Sequence, residues 1–406
     1  MSVPQLRFKD GDGQDFPEWE DTNLESCGTF FRGGSLSKSD IDTKGQFSCV
    51  HYGELFTTYH EIITTVKSKT NITNTINSEY GDILMPSSDV TPAGLAKASC
   101  LLQAGVVLGG DINVIRLKKN LAPIFISYLL NFEKNKIIQL VSGTTVKHIY
   151  IKDIKSIELS IPTEIAEQTK IANFLTAVDE KITQLSQKHD LLTQYKKGVM
   201  QQIFSQELRF KDDDGGDFPE WKESILSNIV SSPITYGVVK PDKEDVNGVK
   251  LIRGGDVSQG KISANLRTIS KEISQQYKRT ILQGGELIVS LVGNPGEVAI
   301  VPKDLIGANL ARQVGLVRLV KEINSLFVLY FLTFTTEIIT SKITGSVQKV
   351  INLEDLQKLK IQTPTFVEQT KIANFLTAID DKITATQSQL EAVKQYKQGL
   401  LQQMFV

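Results

Sequence analysis

The sequence predicts a tandem repeat of two globular domains, each followed by a long amphipathic helix, with the two helices paired as an antiparallel coiled coil. Two repeated stretches predict this architecture. EQTKIANFLTAVDEKIT at 167–183 returns as EQTKIANFLTAIDDKIT at 368–384 with 15 of 17 positions identical. LRFKDGDGQDFPEW at 6–19 returns as LRFKDDDGGDFPEW at 208–221 with 12 of 14 positions identical. The offsets are 201 and 202 residues, so the repeating unit is half of the protein.

Length and composition are those of an ordinary globular protein. A chain of 406 residues is long for one hydrophobic core and sufficient for two. Its formal net charge is −1, which gives no sign of a non-specific nucleic-acid binder, although a specific binder can concentrate positive charge locally. The N-terminus lacks an apolar stretch, so we expect a cytoplasmic protein. Cys27, Cys49 and Cys100 lack the spacing of metal ligands and are expected to be reduced, buried thiols.

Between the repeated stretches the two halves differ strongly. Only short matches remain, such as SGTTVKHIYIKDI at 142–154 with TGSVQKVINLEDL at 344–356, and INVIRL at 112–117 with VGLVRL at 314–319. Helices that match while the globular parts differ predict a common scaffold that presents two different recognition surfaces. Gene duplication followed by unequal drift stays open as the alternative.

The predicted helices carry apolar residues every seven positions, which is the pattern of a coiled coil. At 38 residues, each would be roughly 57 Å long, more than one domain core requires. Two separate helices, each packed on its own domain, are the alternative to mutual pairing. The residues predicted to pair the helices or dock a partner are Ile171, Leu175, Val178, Ile182, Leu185, Leu192, Tyr195 and Val199, and Ile372, Leu376, Ile379, Ile383, Leu390, Val393, Tyr396 and Leu400.

The leading segments, 6–19 and 208–221, place aromatic residues ahead of each domain. We expect these rings to pack each domain onto the ends of the helices. Thr365 and Glu368 match the S/T-x-x-E capping box of a helix start. The six aromatic residues are Phe8, Phe16, Trp19, Phe210, Phe218 and Trp221.

Enzyme motifs are absent from the sequence. It contains no GxxxxGK[ST] phosphate loop, no HExxH, no GxSxG and no GxGxxG after a strand. VGNPGE at 292–297 has the Asn-Pro of an amino-methyltransferase motif but lacks the Pro-aromatic pair that follows it, so we interpret it as a turn. We therefore expect no catalytic, cofactor-binding or metal-binding residue in this chain.

These repeated motifs resemble the specificity subunit of bacterial and archaeal type I restriction-modification systems. The resemblance rests on the leading segments, on IPTEIAEQTKIANFL and TPTFVEQTKIANFL at the helix starts, and on YKKGVMQQIF and YKQGLLQQMF at the helix ends. It implies a mixed α/β (α+β) fold with two target-recognition domains and two long helices in an antiparallel coiled coil, as a pseudo-twofold tandem repeat. The expected segments are a first domain at 1–160, a central helix at 161–205, a second domain at 206–362 and a C-terminal helix at 363–406.

The same resemblance implies a function. Each domain would recognise one half of a bipartite site in double-stranded DNA, while the helices would set the gap and dock two adenine-N6 methyltransferase subunits. Two restriction subunits with ATPase and nuclease activities would join them. S-adenosylmethionine, ATP and Mg would bind to these partners, not to this non-catalytic chain. A type IIB-like specificity subunit, a coiled-coil scaffold with no DNA role and a divergent DNA methyltransferase stay open as alternatives.

Residues that would contact DNA are chosen by type and by loop context. Base edges are recognised by Arg, Lys, Asn, Gln, Ser and Thr side chains, and phosphates by basic ones. The loops at 143–148 and 345–349 are the strongest candidates because both hold a small hydroxyl and a lysine. The candidates are Arg32, Lys38, Lys44, Thr144, Thr145, Lys147 and His148 in the first domain, and Arg253, Lys261, Arg267, Lys278, Arg279, Asn294, Arg312, Ser346, Gln348 and Lys349 in the second.

Overall fold

The fold is described from a computed structural model that covers residues 4–73, 76–342 and 350–405, with side chains left out at 337–342. The chain divides into two compact units. The first unit contains residues 1–186 and 388–406, and the second contains residues 187–387. Each unit therefore combines one globular domain with part of both long helices. None of the helices in these described ranges is both long and apolar enough to cross a membrane.

The first unit mixes short strands and helices. Its strands are β1 Trp19–Asn23, β2 Gly28–Arg32, β3 Phe47–Val50, β4 Ile62–Ile63, β5 Ser68–Thr70, β6 Asp82–Pro86, β7 Ser88–Asp89, β8 Ser99–Leu101, β9 Val107–Leu108, β10 Ile112–Leu117, β11 Lys147–His148 and β12 Glu158–Pro162. Its helices are α1 Glu54–Thr57, α2 Pro92–Leu95, α3 Pro123–Phe132, α4 Lys134–Gln139, α5 Ile151–Lys155 and the beginning of α6 Ile165–Phe204. It also receives the end of the last helix of the chain.

A five-stranded sheet forms the centre of the first unit, in the order β2-β10-β6-β8-β4. All five residues of β6, DILMP, are buried: Ile83 and Met85 pack into one core cluster and Leu84 into another, while the Asp82 carboxylate binds Arg116. β10 pairs antiparallel with both β2 and β6. A second sheet has the order β5-β3-β9, with β3 parallel to β9. The side chains of Phe125 and Tyr128 from α3 belong to the same core cluster as Ile83 of β6.

The second unit has related elements. Its strands are β13 Lys222–Ile225, β14 Thr235–Tyr236, β15 Val249–Ile252, β16 Val257–Ser258, β17 Lys261–Ile262, β18 Arg267–Ile269, β19 Leu287–Ser290, β20 Val298–Ile300, β21 Asn309–Leu310, β22 Val314–Val317 and β23 Lys360–Thr363. Its helices are α7 Lys271–Gln276, α8 Ser325–Lys342, α9 Leu353–Gln357 and α10 Phe366–Met404, whose last residues belong to the first unit. The mixed α/β class and the two long helices expected from the sequence are confirmed.

Strand pairing in the second unit follows the first. The order β14-β22-β19 matches β2-β10-β6, and the order β18-β15-β21 matches β5-β3-β9, again with one parallel and one antiparallel neighbour. A two-stranded ladder also precedes each long helix, with Trp19 opposite Pro162 in the first unit and Lys222 opposite Thr363 in the second. Each ladder therefore brings a leading segment next to a helix start. The predicted turn at 292–297 is confirmed, since it connects β19 to β20.

Within each unit the two long helices run antiparallel. In the first unit the backbone N–H of Leu6 donates to the carbonyl of Gln403 (2.9 Å), and Arg7 binds Glu167 at the start of α6. Further along α6, Asp179 binds Lys397, which precedes Gln403 in α10. The helices therefore advance in opposite directions. Antiparallel pairing of the helices also predicts that Val406 lies near the leading segment at 6–19, but Val406 is outside the described residues.

The second unit repeats this arrangement with the helices exchanged. Leu208 donates to the carbonyl of Gln202 near the end of α6 (3.0 Å), and Arg209 binds Glu368 near the start of α10. Asp380, further along α10, binds Lys196 of α6 at 2.6 Å. In each unit, therefore, the beginning of one helix and the end of the other pack on the same domain. The sequence left two arrangements open, pairing of the helices with each other and packing of each helix on its own domain, and each unit contains both kinds of contact.

The repeated Glu-Gln pair explains much of the identity between the helix starts. Glu167 is fully buried, and its carboxylate accepts two hydrogen bonds from the Arg7 guanidinium at 2.9 and 2.8 Å. The side chain of Gln168 accepts a hydrogen bond from the N–H of Ala122 and donates one to the carbonyl of Pro162, both at 2.8 Å. Both residues thus tie the helix to its domain through buried polar groups.

The equivalent pair in the second unit makes the same contacts. Glu368 accepts hydrogen bonds from Arg209 at 3.0 and 3.1 Å. The side chain of Gln369 accepts from the N–H of Asn324 and donates to the carbonyl of Pro364. This use of Glu368 corrects the predicted capping box. The Thr365 hydroxyl does accept the N–H of Glu368 (3.4 Å), but the carboxylate binds Arg209.

The aromatic residues of the leading segments pack on the helix starts and on the domains, as predicted. Phe8 contacts Phe174 edge to face at 5.6 Å between ring centroids, and Phe210 contacts Phe375 in the same way at 5.5 Å. The remaining rings make matching contacts: Trp19 with Phe125, Trp221 with Phe327, Phe16 beneath Lys170, and Phe218 beneath Lys371.

Most of the predicted heptad positions are buried or half-buried, but Tyr195 and Tyr396 are 53% and 55% exposed. The prediction that Tyr195 belongs to the buried stripe is wrong because the stripe passes through the next residue, Lys196, four positions after Leu192. The long lysine stem reaches across the interface and the ammonium group finds a carboxylate. In α10, likewise, the stripe passes through Lys397 and not through the predicted Tyr396. Docking of a partner by the exposed tyrosines stays a prediction.

The cysteines are free and buried, as expected. Burial raises the pKa of Cys49 to about 11 and that of Cys100 to about 12. Both groups are therefore neutral thiols at physiological pH.

Replacement of Arg7 by Met should destabilise the first unit, because it leaves the buried Glu167 carboxylate without its partner. Removal of one member of a buried ion pair costs about 3 kcal/mol or more. Calorimetric unfolding should show a lower Tm for Arg7→Met, partial recovery in Arg7→Met combined with Glu167→Met, and little change for Lys9→Ala, whose ion pair with Asp15 is exposed. An unchanged Tm in the single variant would contradict this role of Arg7.

Lys397 should make the stability of the first unit depend on pH. It binds Asp179 at 2.7 Å and Glu61 at 2.9 Å, while the Tyr128 hydroxyl donates to Asp179. Burial raises the pKa of Glu61, but the charge and hydrogen bond of Lys397 outweigh burial and hold that pKa below its ordinary value. A lowered folded pKa stabilises the fold above the unfolded pKa of about 4.3, and this stability is lost as pH falls through the folded pKa.

Lys397→Met should therefore lower the free energy of unfolding at pH 7 by about 2 kcal/mol. The difference from the unsubstituted protein should shrink below about pH 4, where the carboxylates become protonated. Urea denaturation at a series of pH values measures both effects, and Lys394→Met, at an exposed position one turn away, is the matched control. A difference that stays constant with pH would show that Lys397 acts through packing alone.

Candidate nucleic-acid interface

Several of the predicted first-domain residues meet where β6 ends and β10 begins, a region that we call the first edge. Arg32, the last residue of β2, donates from its guanidinium to the Ser87 hydroxyl (2.8 Å) and to the Asp111 carboxylate (3.0 Å). Ser87 follows β6, and Asp111 precedes β10. The carbonyl of Ser87 accepts the N–H of Ile149 (3.1 Å), which places β11 beside Arg32. The sheet thus brings together residues distant in sequence.

The predicted loop at 143–148 is a tight hairpin at the first edge. Ser142 and His148 exchange two backbone hydrogen bonds of 3.0 and 2.8 Å, and β11 pairs with β7 on its other side. Gly143 has a φ of 103°, and a Cβ there would collide with the Val146 carbonyl, so the turn requires glycine. Thr144 and Thr145 are exposed at the tip. The ammonium group of Lys147 donates to the carbonyl of Gly143 (2.6 Å), so it stiffens the loop as well as adding charge.

His51, which sequence reasoning missed, also lies near the first edge. Burial lowers the pKa of His51; the neighbouring Lys38 also lowers it, while Glu54 and Asp111 raise it. The charges of the predicted Lys38 and of the edge residue Asp111 therefore both act on this ring, and the N–H of Gly109, two residues before Asp111, donates to the carbonyl of Val50 beside it (3.0 Å). The sequence alone could not identify the half-buried His51 as an edge residue, because the only feature that points to it is its position directly after β3. The described contacts do not link Lys44, in the exposed turn before β3, to the first edge.

The second unit has a corresponding second edge, where β19 ends and β22 begins. Arg253 binds the buried Asp256 through two hydrogen bonds of 3.0 and 2.9 Å, which fix its exposed guanidinium. Asn294, in the β19–β20 turn, donates to the carbonyl of Val257 (3.0 Å), so its amide holds neighbouring backbone in place. Arg312 is exposed and precedes β22, with its N–H bonded to the carbonyl of Val238. These three predicted residues lie around one end of the sheet.

Other predicted second-domain residues lie elsewhere. Lys278 and Arg279 are exposed, but Arg318, just after β22, donates to the carbonyl of Arg279 (2.8 Å). They therefore lie at the opposite end of the β19–β22 ladder, about 10 Å from the second edge for a four-residue strand. Arg267 is half-buried and donates to the carbonyl of Asp242, while Lys261 is exposed in the β16–β17 hairpin.

The remaining three candidates, Ser346, Gln348 and Lys349, lie outside the described residues. Within the described part of the chain, no three His, Cys, Asp or Glu residues are grouped as a metal site would require.

Comparison with known families finds one match that occurs twice. The sequence model of the type I restriction modification DNA specificity domain matches residues 17–194 and 212–395. The two matches follow the tandem repeat.

Similar proteins are described as specificity subunits of type I restriction enzymes. The chain is 31% identical over 253 residues to the type I restriction enzyme EcoBI specificity subunit of Escherichia coli, a match that covers 57% of this chain and only 53% of that protein. It is 27% identical over 305 residues to the putative type I restriction enzyme MjaX specificity subunit of Methanocaldococcus jannaschii, covering 72% of this chain and 70% of the relative.

Solved structures show that the fold is shared. The S subunit of a type I restriction-modification system from M. genitalium aligns with a TM-score of 0.64 at 16% identity, over 100% of this chain and 99% of the other. A chain from a structural study of complex assembly and conformational transition in a type I R-M system aligns with a TM-score of 0.58 at 18% identity, over 96% and 98%.

Proposed function

Because the chain belongs to the family of the type I restriction modification DNA specificity domain, of which it has two tandem copies, we propose that it is the DNA-recognition subunit of a type I restriction-modification complex. Each unit recognises one half of a bipartite site in double-stranded DNA. The first edge contacts one half-site and the second edge contacts the other. The chain itself carries out no chemical step.

The observation that carries this proposal is the contrast between matching supports and different edges. Both units fix a leading segment and a helix start with the same Arg–Glu pair, Arg7 with Glu167 and Arg209 with Glu368. The edges differ in the strand that supplies their exposed arginine, since Arg32 ends β2, whereas Arg253 directly follows β15, the counterpart of β3. Matching supports with different exposed chemistry suit the recognition of two different half-sites.

The long helices set the gap between the half-sites. α6 has 40 residues and α10 has 39, so each is about 60 Å long. This length exceeds the roughly 34 to 36 Å of one turn of B-DNA, the separation at which two recognition elements contact the same face.

The helices also dock two adenine-N6 methyltransferase subunits. Asn173 and Asn374, and likewise Ala177 and Ala378, are identical in the repeat and exposed, so packing within a unit does not account for their identity. Two copies of one partner would account for it. Two restriction subunits complete the complex. S-adenosylmethionine binds to the methyltransferases, and ATP and Mg act in the partner subunits.

Expression of the chain with its cognate methyltransferase, in a host that lacks other adenine methylation, tests the proposal directly. N6-methyladenine should appear at one asymmetric site composed of two specific parts and a gap of fixed length. The methyltransferase expressed alone is the control. Methylation without sequence preference, or at an uninterrupted site, would contradict recognition by two separate edges.

Arg32→Ala should weaken binding of the complex to its site by about tenfold or more, as expected for the removal of an arginine that contacts a base pair in two places. Fluorescence anisotropy with labelled duplexes measures this weakening. Randomised first half-sites should then be discriminated less strongly, while the second half-site is still recognised. Lys44→Ala is the matched control, since Lys44 is exposed in the same unit. Equal effects of the two substitutions would contradict the role of the first edge.

Insertion of seven residues into both helices, after Ser186 and after Gln387, should lengthen the gap and leave both half-sites unchanged. These positions are the boundaries between the units. An insertion near Ser205, where α6 ends and the second domain begins, is unsuitable because it would separate the N–H of Leu208 from the carbonyl of Gln202. A heptad preserves the apolar stripe and adds about 10 Å, equivalent to up to about three base pairs. Methylation mapping gives the new gap, and an unchanged gap would contradict the spacing role.

A further inference from the structure

Three exposed apolar side chains are grouped at the first edge. Val90, Val146 and Tyr150 are 73%, 46% and 48% exposed. β7 and β11 pair with Ser88 opposite His148 and Asp89 opposite Lys147, so the next step of the register places Val90 opposite Val146. The Tyr150 ring stacks on the His148 ring, with centroids 6.1 Å apart and 22° between the planes. We call these three residues the apolar patch.

The apolar patch is held in a fixed conformation by the backbone around it. Val146 belongs to the hairpin that the Ser142–His148 hydrogen bonds close. Val90 is followed by Thr91, whose hydroxyl donates to Asp89 (2.8 Å) and accepts the N–H of Gly94 at the start of α2. Little ordering is therefore needed when a partner binds, which favours specific contact. Exposed apolar side chains grouped within a polar surface mark an interaction site.

The charges around the apolar patch distinguish between the parts of a DNA duplex that could cover it. Arg32 and Lys147 attract DNA, but Asp89 and Asp111 stand beside them. Carboxylates repel phosphates, whereas they accept hydrogen bonds from the N4 amino group of cytosine in the major groove. The patch therefore faces base edges and not the backbone. The apolar group that base edges present there is the 5-methyl group of thymine.

We propose that Val90, Val146 and Tyr150 contact thymine 5-methyl groups in the first half-site. This inference rests on the proposed DNA-recognition function and adds a chemical specificity to the first edge. At the repeat offset of 202, Asn352 takes the place of Tyr150, and its amide donates to Asp355 (3.2 Å). The second unit lacks this tyrosine, so the methyl contact through it is specific to the first half-site.

Replacement of thymine by uracil removes the methyl group and leaves the hydrogen-bonding edge of the base unchanged. The complex of the chain with its methyltransferase should bind a duplex with uracil in the first half-site about fourfold more weakly for each contacted methyl group that is removed, the equivalent of one buried methylene. Fluorescence anisotropy at constant salt measures the change against the thymine duplex.

Combined Val90→Ser, Val146→Ser and Tyr150→Ser substitutions should remove the dependence on the methyl groups, so that thymine and uracil duplexes bind equally. Tyr80→Ser is the matched control, because this exposed tyrosine lies at the opposite end of β6, before Asp82, and the variant should keep the dependence. Since the uracil duplexes test the unsubstituted complex, the result does not depend on folding of the triple variant.

Equal binding of both duplexes by the unsubstituted complex would overturn the methyl contact and leave DNA recognition intact. A dependence on the methyl groups that persists in the triple variant would place the contact on other residues and also overturn the proposal. Failure to bind any specific duplex would instead overturn the proposed DNA-recognition function, and the methyl contact with it.

Discussion

The buried carboxylates of Glu167 and Glu368 are the constraint on which both units depend. A carboxylate removed from water must be paired, and each is bound by an arginine of a leading segment through two hydrogen bonds. The arginine in turn donates to the carbonyl of Pro17 or Pro219, which fixes the segment's own backbone. One polar contact therefore joins the leading segment to the helix start. The same contact also positions the β1–β12 and β13–β23 ladders, since β1 and β13 begin shortly after these prolines.

Apolar packing adds a second constraint, because each unit needs residues of both long helices to complete its core. The core of the first unit contains Leu400 and Met404 of α10 and Phe405 just after it, together with Ile171 and Leu175 from α6. The second unit uses Val199, Met200 and Ile203 of α6 in the same way. Among the described residues, the half-buried lysine of the first unit, Lys397, has two carboxylate partners, Asp179 and Glu61, and the equivalent Lys196 has Asp380. The repeat is thus matched in the lysine–aspartate pair, Lys397 with Asp179 and Lys196 with Asp380, that joins the two helices in each unit.

The sequence predicted the features that come from local or repeated patterns. The heptads, the packing of the leading aromatics and the turn at 292–297 follow from spacing and residue type. The Tyr195 prediction was wrong because hydrophobicity alone cannot show that a lysine stem, not an aromatic ring, continues a buried stripe. The edges depend on topology: Arg32 and Lys147 lie near the same edge because Arg32 binds Ser87 after β6, and the Ser87 carbonyl accepts the N–H of Ile149 just after β11. For the same reason the sequence did not distinguish Arg279 from Arg253 as a candidate for DNA contact. In the structure, Arg279 lies at the end of the β19–β22 ladder opposite the second edge.

The physical difference between supports and edges allows recognition to change while the fold is kept. Substitution of a buried, paired residue such as Glu167 or Gln168 leaves polar groups without partners, at a cost of several kcal/mol. Substitution of exposed residues such as Thr144 or Thr145 changes stability by about 0.5 kcal/mol or less. Substitutions at the edges therefore alter the chemistry offered to a ligand and leave the packing of each domain on its helices intact. A tandem repeat built this way can acquire two unrelated binding specificities from one duplicated fold.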